Sequence, residues 1–195
     1  MSRRLRYGRL LLAGIAFGVL VAVVKGQATG VRDALGNTSA PWVVVPFLAG
    51  TRCSSVRRAA LVGGATTLAA FLGFYLSEAA ILDLGPHPWY TDLRLTLGSG
   101  RVYEEWGLFS GLVYGALGGM WATRSLAIAP IAVGLAFLCE PAIVLFLRDA
   151  GLWGGGDLLF HYRSIWVSEI LIGLATITFG MNRARSRRTK PVAAQ

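Results

Sequence analysis

Four ionisable residues stand inside otherwise apolar runs: Lys25 after LLLAGIAFGVLVAVV, Glu78 in FYLSEAAI, Glu140 in AFLCEPAI and Glu169 in IWVSEILIG. A charge held at membrane depth costs about 2.5–3.5 kcal/mol or more, so it is retained where it pairs, binds a ligand or handles a proton. Counted along their helices, Glu140, Glu169 and Lys25 reach a similar depth below one surface, and Glu78 lies closer to the interface. Two acids and a base on three helices suit a polar pocket open to that surface. Pro141 removes a backbone donor next to Glu140 and frees the carbonyl of Phe137, so a bend is expected there. The same residues also read as a structural Lys–Glu tie, with Lys25 and Glu78 snorkelling to the interface.

Around these charges the sequence supplies polar and aromatic neighbours. Asn37, Thr38 and Ser39 precede Pro41-Trp42 and offer polar groups above the start of a helix. Trp42 and Trp106 each open a helix and are the aromatic candidates for the pocket, while Trp89, Tyr90, Trp153, Tyr162 and Trp166 read as an interfacial belt. The expected ligand-binding set is therefore Lys25, Asn37, Trp42, Glu78, Trp106, Glu140 and Glu169. No Ser/His/Asp set with supporting turns, no H-E-x-x-H and no phosphate loop is present, so no enzyme activity is expected. His87 and His161 stand alone, and Cys53 and Cys139 fall at different depths, so neither a metal, a cofactor nor a disulfide is expected.

The elements that must hold these residues are read from composition. Of the 195 residues 54% are hydrophobic and 15% charged, against roughly 25% charged in a soluble domain. The apolar residues form long blocks separated by short charged ones, as in an all-α polytopic membrane protein. Six spans are expected, at about residues 9–25, 40–51, 59–81, 105–122, 126–147 and 165–182. They form one transmembrane domain over residues 1–182, followed by a basic, disordered cytoplasmic tail over 183–195. The N-terminal SRRLRYGR with its apolar run mimics a secretory signal, but more spans follow and no small-x-small cleavage site is present, so it reads as a retained first helix.

The net charge of +9 comes from 19 Lys and Arg against 10 Asp and Glu. In such a chain it reports cytoplasmic loops rather than nucleic-acid binding. With both termini in the cytoplasm, the inner segments hold Arg3, Arg4, Arg6, Arg9, Arg52, Arg57, Arg58, Arg124, Arg183, Arg185, Arg187, Arg188 and Lys190, and no acid. The irregular sequence falls outside: residues 26–40, then 83–104 with the turn signals GPHPWY and GSGR around a short interfacial helix at 91–97, then 149–164 with Gly154-Gly155-Gly156. This predicts an inner-membrane protein with an elaborated outer face.

Two further patterns bear on function. FYLSEAAI aligns with AFLCEPAI without gaps, placing Glu78 on Glu140 in two hairpins of a weak internal repeat. Gly14-x-x-x-Gly18 and Gly111-x-x-x-Gly115 allow close helix approach. Intramolecular packing is the default use of these faces; docking of a partner membrane protein is the alternative.

The run GNTSAPWVVVPFLAG, followed by Arg-Arg, an Ala/Gly-rich helix and GFYL, resembles an uncharacterised family of small six-span membrane proteins from high-GC bacteria. The resemblance covers roughly residues 10–82 and rests on Asn37, Ala40-Pro41-Trp42 and Gly73-Phe74-Tyr75. It implies a location and a fold, with no reaction. In architecture alone, the chain is similar to the substrate-binding subunits of energy-coupling-factor vitamin transporters. The expected function is to bind or transport a small solute from the outer side; the rival is a non-catalytic accessory protein docking a partner through its glycine faces.

Overall fold

A computed structural model describes residues 3–26, 30–82, 88–150 and 162–188. His87, His161, Trp153 and the glycines at 154–156 lie outside these residues. The described chain is helical and contains no strand: α1 (Arg3–Lys25), α2 (Val31–Gly36), α3 (Ala40–Gly50), α4 (Val56–Leu82), α5 (Trp89–Arg124), α6 (Ile128–Asp149) and α7 (Arg163–Arg188).

Local sequence sets the ends of these helices. Gly26 adopts a left-handed φ of 54° and its N–H closes on the Ala22 carbonyl at 2.7 Å, the usual glycine stop. Arg32 then reaches back from α2 to donate to the Val23 carbonyl at 2.8 Å and the Val24 carbonyl at 3.1 Å. The chain leaving α1 is thus folded over its end by a side chain that satisfies orphan carbonyls. At the opposite end, the Ser55 hydroxyl accepts the Arg58 N–H at 3.4 Å as α4 begins. Ser125 supplies the left-handed stop of α5, its N–H meeting the Trp121 carbonyl at 3.0 Å.

α4 is the central helix, and glycines let its neighbours approach. α1 lies parallel to it, with Gly14 on Thr66 and Gly18 on Ala70 and Phe74. α5 lies antiparallel to it, with Gly111 on Thr67 and Gly63, and Gly115 on Ala59 and Gly63. A side chain at any of the four would meet the backbone or the packed side chains of α4, so these faces are closed inside the chain. α3 fits against α5 through Phe47 on Gly118 and Gly50 on Gly115. α6 and α7 pair antiparallel, Gly180 on Pro130 and Gly173 on Gly134 and Leu138.

α1, α4 and α6 therefore run one way and α3, α5 and α7 the other. The start of α1, Arg57, Arg58, Arg124 and the end of α7 share one end of the bundle. Arg183 stacks over the Trp121 and Phe179 rings there, 5.9 Å from each centroid. The principal apolar core joins α3 and α6 through Val43, Phe47, Val133 and Phe137, with Tyr114, Leu117 and Trp121 of α5 packed against it. A smaller one joins α2, α6 and α7 through Ala34, Val144 and Ile165.

Four helical segments, Tyr7–Lys25, Val56–Ala80, Ile128–Phe146 and Arg163–Ser186, are long and apolar enough to cross a membrane. Leu12, Leu20, Leu61, Leu72, Phe146, Leu171 and Phe179 stand exposed on them. A surface so covered with large apolar side chains belongs against hydrocarbon rather than water.

Two expectations change. The outer loop at 83–104 with a short helix at 91–97 is replaced, from Trp89 onward, by α5, a single helix of 36 residues. Gly98-Ser99-Gly100 was read as a turn, but a glycine inside a helix costs only about 1 kcal/mol, which good helix formers on both sides offset. α7 runs on through Arg183–Arg188, so that part of the basic tail is helical. Pro141 lies inside α6, which is one helix from Ile128 to Asp149.

Candidate functional site

Of the seven residues expected at a ligand site, Lys25 and Glu78 form a pair of their own. The parallel packing of α1 on α4 brings the Lys25 Nζ to 2.5 Å from Glu78 Oε1. Glu78 is buried, while the Lys25 side chain keeps 23% of its surface and lies 5.4 Å from the Phe74 ring centroid. Gly36 of α2 rests on the Lys25 stem, closing the pair from above. Here a buried acid and a base answer each other. Lys25 was expected to serve Glu140 and Glu169 as well, but its ammonium is committed to Glu78.

Glu140 has different partners. α3 begins with no capping side chain: Ser39 makes no side-chain hydrogen bond to the helix start. Pro41 carries no N–H, and the Trp42 N–H closes on the Ser39 carbonyl at 3.1 Å. The amides of Ser39 and Ala40 remain, and both are answered by Glu140 from α6. Its Oε1 accepts the Ser39 N–H, and its Oε2 accepts the Ala40 N–H at 2.5 Å. The carboxylate thus caps a helix about a hundred residues away in sequence. Both the unsatisfied donors and the positive end of the helix dipole favour an anion at that point.

Glu169 completes the cluster. The register set by Gly180 on Pro130 and Gly173 on Leu138 continues toward the start of α7 and brings Glu169 level with Glu140. The two carboxyls lie within hydrogen-bonding reach of each other. Glu169 is 5% exposed, and its Oε1 is buried with no hydrogen-bond partner. A buried polar atom left unpaired is uncommon in proteins and costs roughly 1–3 kcal/mol, more when charged. Two acids therefore face one another under the start of α3, with backbone amides on one side and an open acceptor on the other.

The other expected residues fall around this centre in unequal roles. Asn37 is half-buried and turned into its own turn, its amide nitrogen donating to the Asp33 carbonyl at 2.9 Å and to Asp33 Oδ1 at 3.0 Å. Thr38 donates to the Leu35 carbonyl at 2.8 Å. Trp42 is wedged among Phe17, Phe71 and Phe74, with ring centroids 5.2–5.7 Å apart. It locks α3 against α1 and α4. Trp106 is 68% exposed on α5, edge-on to Phe109, on a surface rather than in a pocket.

What sequence reasoning missed was the pair of main-chain donors at Ser39 and Ala40. One signal was available: a helix opening on Ser-Ala-Pro lacks acidic residues in its first turn and so invites an acid from elsewhere. Compared with protein-family models, curated proteins and solved structures, the chain finds no match.

Proposed function

We propose that this chain is a multi-pass protein of a bacterial inner membrane that binds or moves a small solute at a polar site made by Glu140, Glu169 and the first turn of α3. In this reading all six long elements cross, and both termini face the cytoplasm. The alternating helix directions support it, because they gather Arg52, Arg57, Arg58, Arg124 and Arg183–Arg188 at one end, as the positive-inside rule requires. α3 has 11 residues, roughly 17 Å of helix, and so covers about half of a hydrocarbon core near 30 Å thick. Its first turn then lies below the outer surface, within reach of Glu140. The resemblance to small six-span proteins of high-GC bacteria agrees with this placement.

One observation carries the functional part: a buried carboxylate with an unpartnered oxygen, facing a second buried carboxylate, with a helix start above them. An arrangement that leaves a charge unanswered in a low-dielectric interior stabilises the fold poorly. It is understandable where something else occupies the site. Gly14, Gly18, Gly111 and Gly115 pack against α4 within the chain, which supports the solute reading over docking through those glycines.

The test is a thermal-unfolding screen of the purified full-length protein in detergent with small cationic, neutral and anionic solutes. A cationic solute is expected to raise the unfolding midpoint of the wild type and to leave Glu169→Gln unmoved. Equal stabilisation of both proteins would remove Glu169 from the site, and a panel without effect on the wild type would end the solute reading.

A further inference from the structure

The polar site has a charge imbalance that specifies what belongs in it. Both oxygens of Glu140 are occupied by amides of Ser39 and Ala40. A helix N-terminus supplies roughly half a positive charge, which offsets only part of one carboxylate. Glu169 adds a second carboxylate, 95% removed from solvent, with a bare Oε1.

Among the described residues, the charged groups on the surrounding elements do not close this gap. On α1, Lys25 is bound to Glu78 of α4. On α2, Arg32 caps α1 and Asp33 holds Asn37. α3 carries no titratable side chain. On α5, Tyr114 donates to the Ala132 carbonyl at 3.4 Å. On α6 and α7, Asp149 and Arg163 lie exposed at the helix ends, Cys139 is exposed, and Arg183 stacks at the far end of the bundle. Among the described residues no third His, Cys, Asp or Glu joins the pair.

We infer that Glu140 and Glu169 form the binding site of one exchangeable monovalent cation, a metal ion or a proton, held chiefly by the bare oxygen of Glu169. The inference rests on the polar-site reading above for its place on a solute path. Two carboxylates and a helix start leave roughly one and a half negative charges, most of which one monovalent cation offsets. A divalent ion would need six or more oxygen ligands or several retained waters, and one of the two carboxylates here is already spent on backbone amides. With the cation in place, Glu140 stays on α3 and α7 stays on α6. With it gone, two bare carboxylates repel at low dielectric, and the contact with the start of α3 is the one that can give way. Occupancy of the site is thereby tied to the seating of α3, which is the coupling a solute carrier requires between its ion and its entrance.

The experiment uses the full-length protein in detergent at constant ionic strength. Thermal unfolding is followed in sodium, potassium or choline chloride, and infrared spectra of the same samples are recorded for the carbonyl stretch of a protonated carboxyl. If the occupant is a metal ion, sodium or potassium at about a hundred times its dissociation constant raises the wild-type midpoint by roughly 5–10 °C over choline, and Glu169→Gln shows no such difference. If it is a proton, the three salts are equivalent and the wild type shows a protonated-carboxyl band that Glu169→Gln lacks. Should Glu169→Gln fail to fold, Glu169→Asp serves, with a shifted ion preference or a shifted band expected. Equivalent salts together with no protonated-carboxyl band in the wild type overturn the inference. A solute response that persists alongside those two blanks leaves the solute reading standing without it. Positive ion arms beside a silent solute panel do the reverse.

Discussion

In the hairpin formed by α3 and α4, the buried glutamate Glu78 meets the ammonium of Lys25 at 2.5 Å. In the hairpin formed by α5 and α6, the aligned glutamate Glu140 meets two backbone amides and a second carboxyl. The local sequences, FYLSEAAI and AFLCEPAI, match without gaps, and both acids are buried. What separates them is the helix each packs against. α1 ends in a lysine beside Glu78, whereas α7 presents another glutamate to Glu140. One copy of the pattern is neutralised within the chain and serves structure. The other has no cationic side chain against it among the described residues and leaves Glu169 Oε1 without a partner, and the proposed site is there.

The largest effect expected from breaking this contrast comes at the neutral pair. Lys25→Met leaves Glu78 buried without its cation, and removing one partner of a buried pair costs about 3–5 kcal/mol. Because the Lys25 side chain keeps 23% of its surface, water screens part of that loss, and the lower end of the range is expected. Unfolding in mixed detergent measures it. The double variant Lys25→Met with Glu78→Leu is expected to recover most of the stability, as two apolar side chains replace two charges. Equal loss in single and double variants would mean that the pair contributes packing rather than charge balance.

At the unbalanced site the corresponding variant acts on α3. Glu140→Gln retains one acceptor oxygen, so one of the amides of Ser39 and Ala40 loses its partner. A buried donor left unsatisfied costs about 1–3 kcal/mol. The loss is expected to be local, with faster hydrogen exchange at the first turn of α3 and little change at α4. Unchanged exchange at Ser39 and Ala40 would show that Glu140 does not hold the helix start, and the contrast between the two hairpins would then rest on Glu169 alone.

The two hairpins also show where the sequence was readable. The positions of α1, α3, α4, α6 and α7 followed from apolar blocks and arginines, because hydrocarbon length and charge sorting constrain them strongly. The burial of Glu140 and Glu169 followed from their place in those blocks. The choice of partners did not. Depth along a helix placed Lys25 level with Glu140 and Glu169 and Glu78 nearer the interface, yet Lys25 pairs with Glu78. That pairing is decided by neighbouring helices and their register, which depend on Gly14 and Gly18 meeting α4. The role of Glu140 was hidden for another reason: its partners are main-chain amides, and every residue but proline carries one. α5 was misjudged because Gly98 and Gly100 look the same in a tolerant helix as in a turn.

Trp42 and Trp106 extend the comparison and give its smallest expected effect. Both were read as opening a helix, and only Trp42 does so. It fills the space between α1, α3 and α4, while Trp106 lies mid-helix with 68% of its surface exposed. Trp106→Ala removes a side chain whose surroundings outside α5 are solvent or lipid, and such surface substitutions usually fall within about 0.5 kcal/mol. Its unfolding midpoint is expected to stay within roughly 2 °C of the wild type, with solute stabilisation intact. A fall in solute stabilisation without a fall in midpoint would place Trp106 at the site after all. The exposed ring would then have to meet the solute from outside the bundle, and the entrance would lie along α5 rather than above α3.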